Sequence, residues 1–291
     1  MNRGRQRGVA LAIVVWFIAG MSLLVSGIVS HARVDTRMAQ LHVARAKAAA
    51  AGDGAIQLLL AEMVSGRLGT AAGGGLVGSS YRVGELEVTV RLQPAAGLID
   101  LNHSSVAVLA ALFEMAAGME PGEAKNVAEN VVKWRSSKAA VPGRGRKKPK
   151  KITGPTRTFA AIEDLLRVDG VSRGLLDAVR DYVTAGMPAQ RGTDWRLSPD
   201  PVLAVLERVN PQQLQAALQK RERAKTGRSA AAAGGPGRPS FSVGTYRVDA
   251  LVRYGDQRWL RRRWLSTGAG AKESMLPWEM VRTEPPRVVQ Q

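Results

Sequence analysis

The sequence contains no cysteine in its 291 residues. This absence excludes disulfide bonds, thiolate metal ligands and cysteine nucleophiles. Histidine is scarce as well, since His31, His42 and His103 are the three in the chain and lie far apart. We find no zinc-binding pattern, no nucleophile–base pair and no glycine loop with the flanking pattern of a dinucleotide site. The sequence therefore predicts a protein that is not an enzyme, with no catalytic residue and no cofactor.

Acidic residues are few relative to basic ones. The chain has 42 Lys and Arg against 24 Asp and Glu, a formal net charge of +18. An excess of positive charge of this size suggests nucleic acid or an anionic membrane as a partner. The basic residues are concentrated, because residues 131–162 contain ten Lys or Arg and no acid. One segment therefore supplies over half of the excess charge.

Charge is absent from residues 9–29, directly after a short basic leader. As a helix, these 21 residues would cross about 30 Å of hydrocarbon. The preceding arginines predict a cytoplasmic N-terminus. Three interpretations are open: a secretory signal cleaved after Ala32, a simple signal anchor, or a helix that the mature protein keeps for assembly.

The residues that follow favour the third interpretation. The segment "SHARVDTRMAQLHVARAKAAAAGDGAIQLLLAEMVSG" is rich in alanine and has Val34, Met38 and Leu41 near helical spacing. The apolar helix is thus predicted to continue as an amphipathic one to about Val64. With the leader "RQRG" and the run "VALAIVVWFIAGMSLL", this sequence resembles a K-type minor pseudopilin of the type II (general) secretion pathway.

The resemblance implies specific processing. A prepilin peptidase would cleave between Gly8 and Val9 and N-methylate Val9. Most pilin-like subunits carry a glutamate at the fifth mature position, where this chain has Ile13. K-type subunits lack that glutamate. A subunit at the tip has no neighbouring subunit above it that could pair with a buried carboxylate, so Ile13 favours a place at the tip.

The resemblance also implies location and partners. We expect a single-pass protein of the inner membrane, with a cytoplasmic N-terminus and a periplasmic C-terminal head. At the tip of the pseudopilus it would initiate or cap the filament during export of folded proteins across the outer membrane. The I-type and J-type minor pseudopilins would be its partners. A related pilus-tip role remains an alternative.

Together, the patterns and the resemblance predict an α+β fold. A long pilin-like N-terminal helix would pack on an antiparallel sheet, and a large all-α domain of SAM-like or helix–hairpin–helix type would be inserted. The predicted boundaries are a leader at 1–8, the long helix at 9–66 with its membrane part at 9–29, the first part of the head at 76–101, the helical insertion at 102–226 with a basic loop at 136–157, the C-terminal strands at 240–284 and a tail at 285–291.

The predicted head begins with a strand and continues with helices. The segment "YRVGELEVTVRLQ" alternates between apolar and polar residues from Leu86 to Leu92, as a half-buried strand does. Asn102 is expected to cap the next helix and Pro121 to begin another. "GLIDLNHSSVAVLAALFEMAAG" again resembles the family.

A helical hairpin is predicted after the basic loop. Thr158 would cap its first helix, Gly170 would form the turn, and Ser172 would cap a second helix that reaches Val183. "LLRVDGVS" also resembles the helix–hairpin–helix motif of DNA-binding proteins, whose backbone amides contact phosphate. Asp169 at the turn argues against such a contact, and we do not expect nucleic acid as a partner.

Two further helices and several strands are predicted toward the C-terminus. Residues 200–225 read as helical, with Asn210 and Pro211 as cap and first residue of the second helix, and residues 226–240 as a linker. "GDQ" is expected to turn a hairpin, and "MLPWEMVRT" to add a short strand. The segment "RWLRRRW" is interpreted as a sheet edge guarded by charges, or alternatively as a surface for nucleic acid.

The basic loop is the segment on which the expectations about metal binding and anion binding depend. In the family an acidic run at this place helps to bind calcium, whereas Ser136, Ser137 and Lys138 stand here, so we predict no metal site. The loop itself is expected to be solvated. Under the rival hypothesis, a membrane-anchored helix–hairpin–helix protein of the DNA-uptake type, its lysines would contact anions: Lys147, Lys148, Lys150 and Lys151.

Overall fold

The computed structural model describes residues 6–65, 77–136, 157–187, 192–232, 244–267 and 276–289. Its α-helices are α1 Gln6–Val64, α2 Val106–Ala117, α3 Pro121–Ser136, α4 Arg173–Val179, α5 Asp200–Val209 and α6 Pro211–Ala232. Its strands are β1 Val77–Val83, β2 Leu86–Pro94, β3 Ile99–Asp100, β4 Val183–Thr184, β5 Gly244–Tyr254, β6 Gln257–Thr267, β7 Trp278–Thr283 and β8 Arg287–Val289.

One antiparallel sheet organises the head. The strand order is β1-β2-β5-β6-β7, and β8 also pairs with β6. The C-terminal half of α1 packs on this sheet, because small and apolar residues repeat along one side of the helix. Ala48, Ile56 and Leu59 are fully buried there, opposite Val90 and Val248. The predicted α+β fold, with its long helix on an antiparallel sheet, is confirmed.

A helical block is inserted between two strands that are neighbours in the sheet. β2 and β5 pair along seven residues, yet α2 to α6 lie between them in sequence. The block has a core of its own, which contains Leu109, Phe113, Val131, Phe159 and Leu176. The short parallel pair β3–β4 closes the block, since it joins the residues after β2 to those after α4.

The predicted half-buried strand from Leu86 to Leu92 is confirmed as part of β2, and another strand precedes it. Tyr81 to Val83 belong to β1, which pairs with β2 in a hairpin. Gly84 stands at the turn with a φ of 60°, a conformation that glycine adopts without steric cost. Only two residues connect Val83 to Leu86, which is the commonest length of a hairpin loop.

Three helix predictions were wrong in detail. Ser105 and not Asn102 caps α2, and Asn102 instead exchanges two hydrogen bonds with the backbone of Phe159, at 2.7 and 3.1 Å. The first arm of the hairpin is a 3-10 helix, Ile162–Arg167, that follows Ala161 and is not capped by Thr158. Val183 lies in β4, beyond the end of α4. Long-range pairing decided the position of Asn102 and Val183.

Other predicted boundaries are confirmed. α3 begins at Pro121, and Ser172 caps α4 by accepting a hydrogen bond from the Leu175 amide at 3.1 Å. Gly170 turns the chain with a φ of 87°. Asn210 accepts from the Gln213 amide at 3.0 Å at the start of α6.

The ends of two predicted segments were misplaced. α6 continues to Ala232, well into residues 226–240 that were expected to be linker, because alanine favours the helix there. Within residues 285–291, predicted as a tail, Arg287–Val289 form β8 and pair with β6. The "GDQ" hairpin and the strand in "MLPWEMVRT" are present as predicted.

Candidate functional site

The first half of α1 is an apolar surface that the rest of the chain leaves uncovered. Between residues 10 and 43 its side chains are exposed, with Trp16 at 80% and Leu23 at 75%. The helix is long and apolar enough to cross a membrane, and the most apolar part is not buried inside the protein. Exposed apolar surface of this extent marks a membrane or protein interface. We call residues 10–43 the free half of α1.

The second half of the same helix is packed. The first buried residue is Ala44, and burial then recurs every three or four residues as α1 follows the sheet. The helix approaches closely at Gly52, where an added Cβ would lie 2.8 Å from the Cβ of Arg261. We call residues 44–64 the packed half of α1. The helix therefore has an exposed apolar surface at one end and is attached to the sheet of the head at the other.

The predicted processing residues lie at the beginning of α1. Gly8 and Val9 are part of the helix, and Ile13 is 63% exposed on the free half. Cleavage after Gly8 and N-methylation of Val9 stay predictions. The correspondence of Ile13 to the fifth mature position of pilin-like subunits stays a prediction as well.

An ion-pair cluster fixes the packed half of α1 to the sheet. The carboxylate of Asp53 accepts hydrogen bonds from Nε and Nη2 of Arg261 at 2.8 and 3.0 Å, and Nη2 of Arg263 lies 2.5 Å from it. Burial alone raises the pKa of Asp53, but the hydrogen bonds and charges of both arginines outweigh it, so the pKa lies below its ordinary value. The paired carboxylate therefore stabilises the fold near neutral pH.

A second cluster fixes the helical insertion to the sheet. Arg262 on β6 pairs with Asp249 on β5, and its Nη1 also donates to Asp181, which follows α4, at 2.7 Å. Arg287 on β8 donates to the same Asp181 oxygen at 2.7 Å, and Arg247 donates to the Asp181 carbonyl oxygen at 2.7 Å. Burial acts to raise the pKa of Asp181, and the charges of Arg262 and Arg287 lower it below its ordinary value.

The interpretation of "RWLRRRW" as a sheet edge was wrong. β6 has β5 on one side and β7 and β8 on the other, so it is not an edge strand. Arg261 and Arg262 are buried and paired, and the indole N–H of Trp264 donates to Glu284 at 3.0 Å. These side chains are engaged inside the head, so this segment does not present them to a strand of nucleic acid. Spacing along a strand does not reveal the strand's place in the sheet.

The helical hairpin packs its turn against α3. Nδ2 of Asn130 donates to the carbonyl oxygen of Asp169 at 3.0 Å, and a Cβ on Gly170 would lie 3.0 Å from Cγ2 of Val127. Asp169 itself is exposed. The turn therefore presents a carboxylate to solvent and directs part of its backbone inward.

Most of the basic loop lies outside the described residues, including Ser137, Lys138, Lys147, Lys148, Lys150 and Lys151. Ser136, at the end of α3, donates its hydroxyl to the Val132 carbonyl oxygen at 2.7 Å. Among the residues that the structure describes, no group of three or more His, Asp or Glu is arranged to hold a metal ion.

Comparison with solved structures gives a likeness of fold. The fold is similar to a chain in the crystal structure of the GspK-GspI-GspJ complex from the type 2 secretion system of enterotoxigenic Escherichia coli. The identity is 14% and the TM-score 0.46, over 88% of this chain and 99% of that chain. No family model matches the sequence, and no curated protein matches it.

Proposed function

We propose that this chain is a K-type minor pseudopilin at the tip of a type II secretion pseudopilus. The observation that carries the proposal is the division of α1 into a free half and a packed half, behind a basic leader that ends in Gly8. The apolar residues 10–29 of the free half would be held in the inner membrane before assembly. In the filament, contacts with neighbouring helices would replace its contacts with lipid.

The helical insertion supports a place at the tip. It has its own core and is held on the sheet by Asp181, Arg262 and Arg287, so it moves with the head. A head enlarged in this way is difficult to stack beneath another subunit. The uncharged Ile13 is consistent with the same place, because a tip subunit has no neighbour above it to pair with a carboxylate.

The proposal includes orientation and partners. The arginines before the apolar run favour a cytoplasmic N-terminus, which puts the head in the periplasm. Its partners would be the I-type and J-type minor pseudopilins, and its role would be to initiate or cap the filament. No catalytic step is assigned to the chain, and the function is one of assembly.

The test is the mature N-terminus. The full chain would be expressed with and without a prepilin peptidase, purified from membranes and analysed by mass spectrometry. We expect a peptidase-dependent start at N-methylated Val9. Gly8→Val should abolish the cut, whereas the matched leader variant Gly4→Val should leave it in place. A start after Ala32, or an uncut chain beginning at Met1, would overturn the proposal in favour of a secretory signal or a plain anchor.

A further inference from the structure

We propose that a cavity beside the middle of α1 binds an acidic, partly apolar segment of another polypeptide. The cavity has a volume of about 620 Å³, within the range of protein ligand pockets. Its walls come from α1 between Met38 and Arg45, from the helical insertion, and from the region of β6 to β8. The proposal depends on the head and on the part of α1 between Met38 and Arg45, and it does not depend on the secretion role or on the leader.

The walls carry an excess of positive charge. Five arginines and two glutamates line the cavity. Two aspartates outside the lining also pair with these arginines, Asp177 with Arg173 and Arg180, and Asp181 with Arg287, so five arginines face four carboxylates. The arginines are Arg45, Arg173, Arg180, Arg282 and Arg287. A concave surface lined by one sign of charge attracts ligands of the opposite sign more strongly than a flat surface does.

The carboxylates in the cavity are already engaged. Glu163 faces two guanidinium groups, with Arg282 at 2.8 Å and Arg180 at 3.7 Å. Glu284 is buried and accepts a hydrogen bond from Trp264. Arg45 is exposed on α1, and none of the described residues forms an ion pair with it. An additional anion would therefore meet Arg45, the cavity arginine for which no described residue supplies a carboxylate.

Hydrogen-bond donors are also in excess. The guanidinium groups of the arginines that line the cavity offer N–H donors and no acceptors. A carboxylate only accepts hydrogen bonds, so it suits walls of this composition better than a hydroxyl or an amide does.

Apolar side chains indicate that the ligand is a peptide. Met38, Leu41 and Val288 line the cavity beside the arginines and are about half exposed. A bare phosphate would cover only the charged part, whereas a peptide with acidic and apolar side chains would cover both. A lipid headgroup fits less well if residues 9–29 span the membrane. His42 is then 13 residues beyond Val29, about 20 Å along the helix, and the headgroup layer is about 5–8 Å deep.

The experiment measures peptide binding to the full chain in detergent micelles by fluorescence anisotropy. One labelled peptide alternates Glu with Leu, and a second has Lys in place of Glu. We expect the Glu peptide to bind more tightly and to lose affinity as salt is raised. Arg45→Glu should weaken its binding about tenfold, because an attractive charge becomes repulsive. Arg37→Glu, on the same helix but outside the cavity, should leave it unchanged.

Three results would overturn the proposal. The first is equal affinity for the Glu and Lys peptides, and the second is equal weakening by Arg45→Glu and Arg37→Glu. The third is tighter binding of an oligothymidine strand, or of nanodiscs with anionic lipid, that Arg45→Glu removes and Arg37→Glu does not. That result would assign the cavity to phosphate groups. Because cleavage at Val9 is measured separately, failure of the secretion proposal and failure of this one are distinguishable.

Discussion

The two halves of α1 are one continuous helix with opposite surroundings. In the free half the large apolar side chains are exposed, and in the packed half alanines and a glycine lie against the sheet. Small residues allow the helix backbone to approach the strands, as at Gly52 beside Arg261. Bulky residues in the free half have no such surface within the chain. Their apolar surface is thus available to a membrane or to neighbouring subunits.

The largest difference in stability between the two halves is expected when the same substitution is made in each of them. Leu59→Ala removes a fully buried side chain, and we expect it to lower the free energy of unfolding by about 2–5 kcal/mol. Leu24→Ala makes the same change where the side chain is largely exposed, and it should leave the unfolding of the head unaffected. Thermal and urea unfolding of both full-length variants in detergent would measure the difference. Equal losses would show that the free half also packs against the head.

The division of α1 could be predicted from the sequence because it depends on local composition. Residues 9–29 lack charge, and the alanine-rich segment that follows has helical spacing, so both halves follow from the pattern along one helix. Gly170 and Ser172 were predictable for the same reason, since turns and caps depend on adjacent residues. Leader processing at Gly8 and Val9 stays a prediction, because no described contact tests it.

The charged junctions could not be predicted, because they join residues far apart in sequence. Asp53 meets Arg261 across 208 positions, and Asp181 meets Arg262 across 81. The run of arginines in β6 resembled an exposed edge because their partners come from four other parts of the chain, at Asp53, Asp181, Asp249 and Glu284. The cavity next to Arg45 was missed on the same grounds. Clustered arginines in a predicted strand, together with isolated aspartates elsewhere, were the available signal.

A smaller effect is expected from a second matched pair. Gly52→Ala puts a methyl group 2.8 Å from the Cβ of Arg261, so the helix and strand must separate, at a cost of about 1–3 kcal/mol. Gly27→Ala meets no atom within 4 Å and should raise the stability of the free half by up to about 1 kcal/mol. Urea unfolding measures the first, and helix content by circular dichroism the second. If Gly52→Ala were also stabilising, the close contact between α1 and β6 would be refuted.

The smallest predicted effect concerns pH and the attachment of the packed half. The pKa of Asp53 is lower in the folded protein than its ordinary value of about 3.9, so its ion pairs stabilise the fold above that pH. This stability should be lost as the pH falls from about 4 through the lower folded pKa, by about 1 kcal/mol between pH 7 and pH 3. Asp53→Asn should be less stable at pH 7 and should lose less of its unfolding free energy on acidification, as measured by urea unfolding at each pH.

Asp35→Asn is the control in the free half, because no described residue forms an ion pair with Asp35. An acid dependence that Asp53→Asn leaves unchanged would assign the loss to other carboxylates, with Asp181 the first to examine, since its pKa is lowered by Arg262 and Arg287.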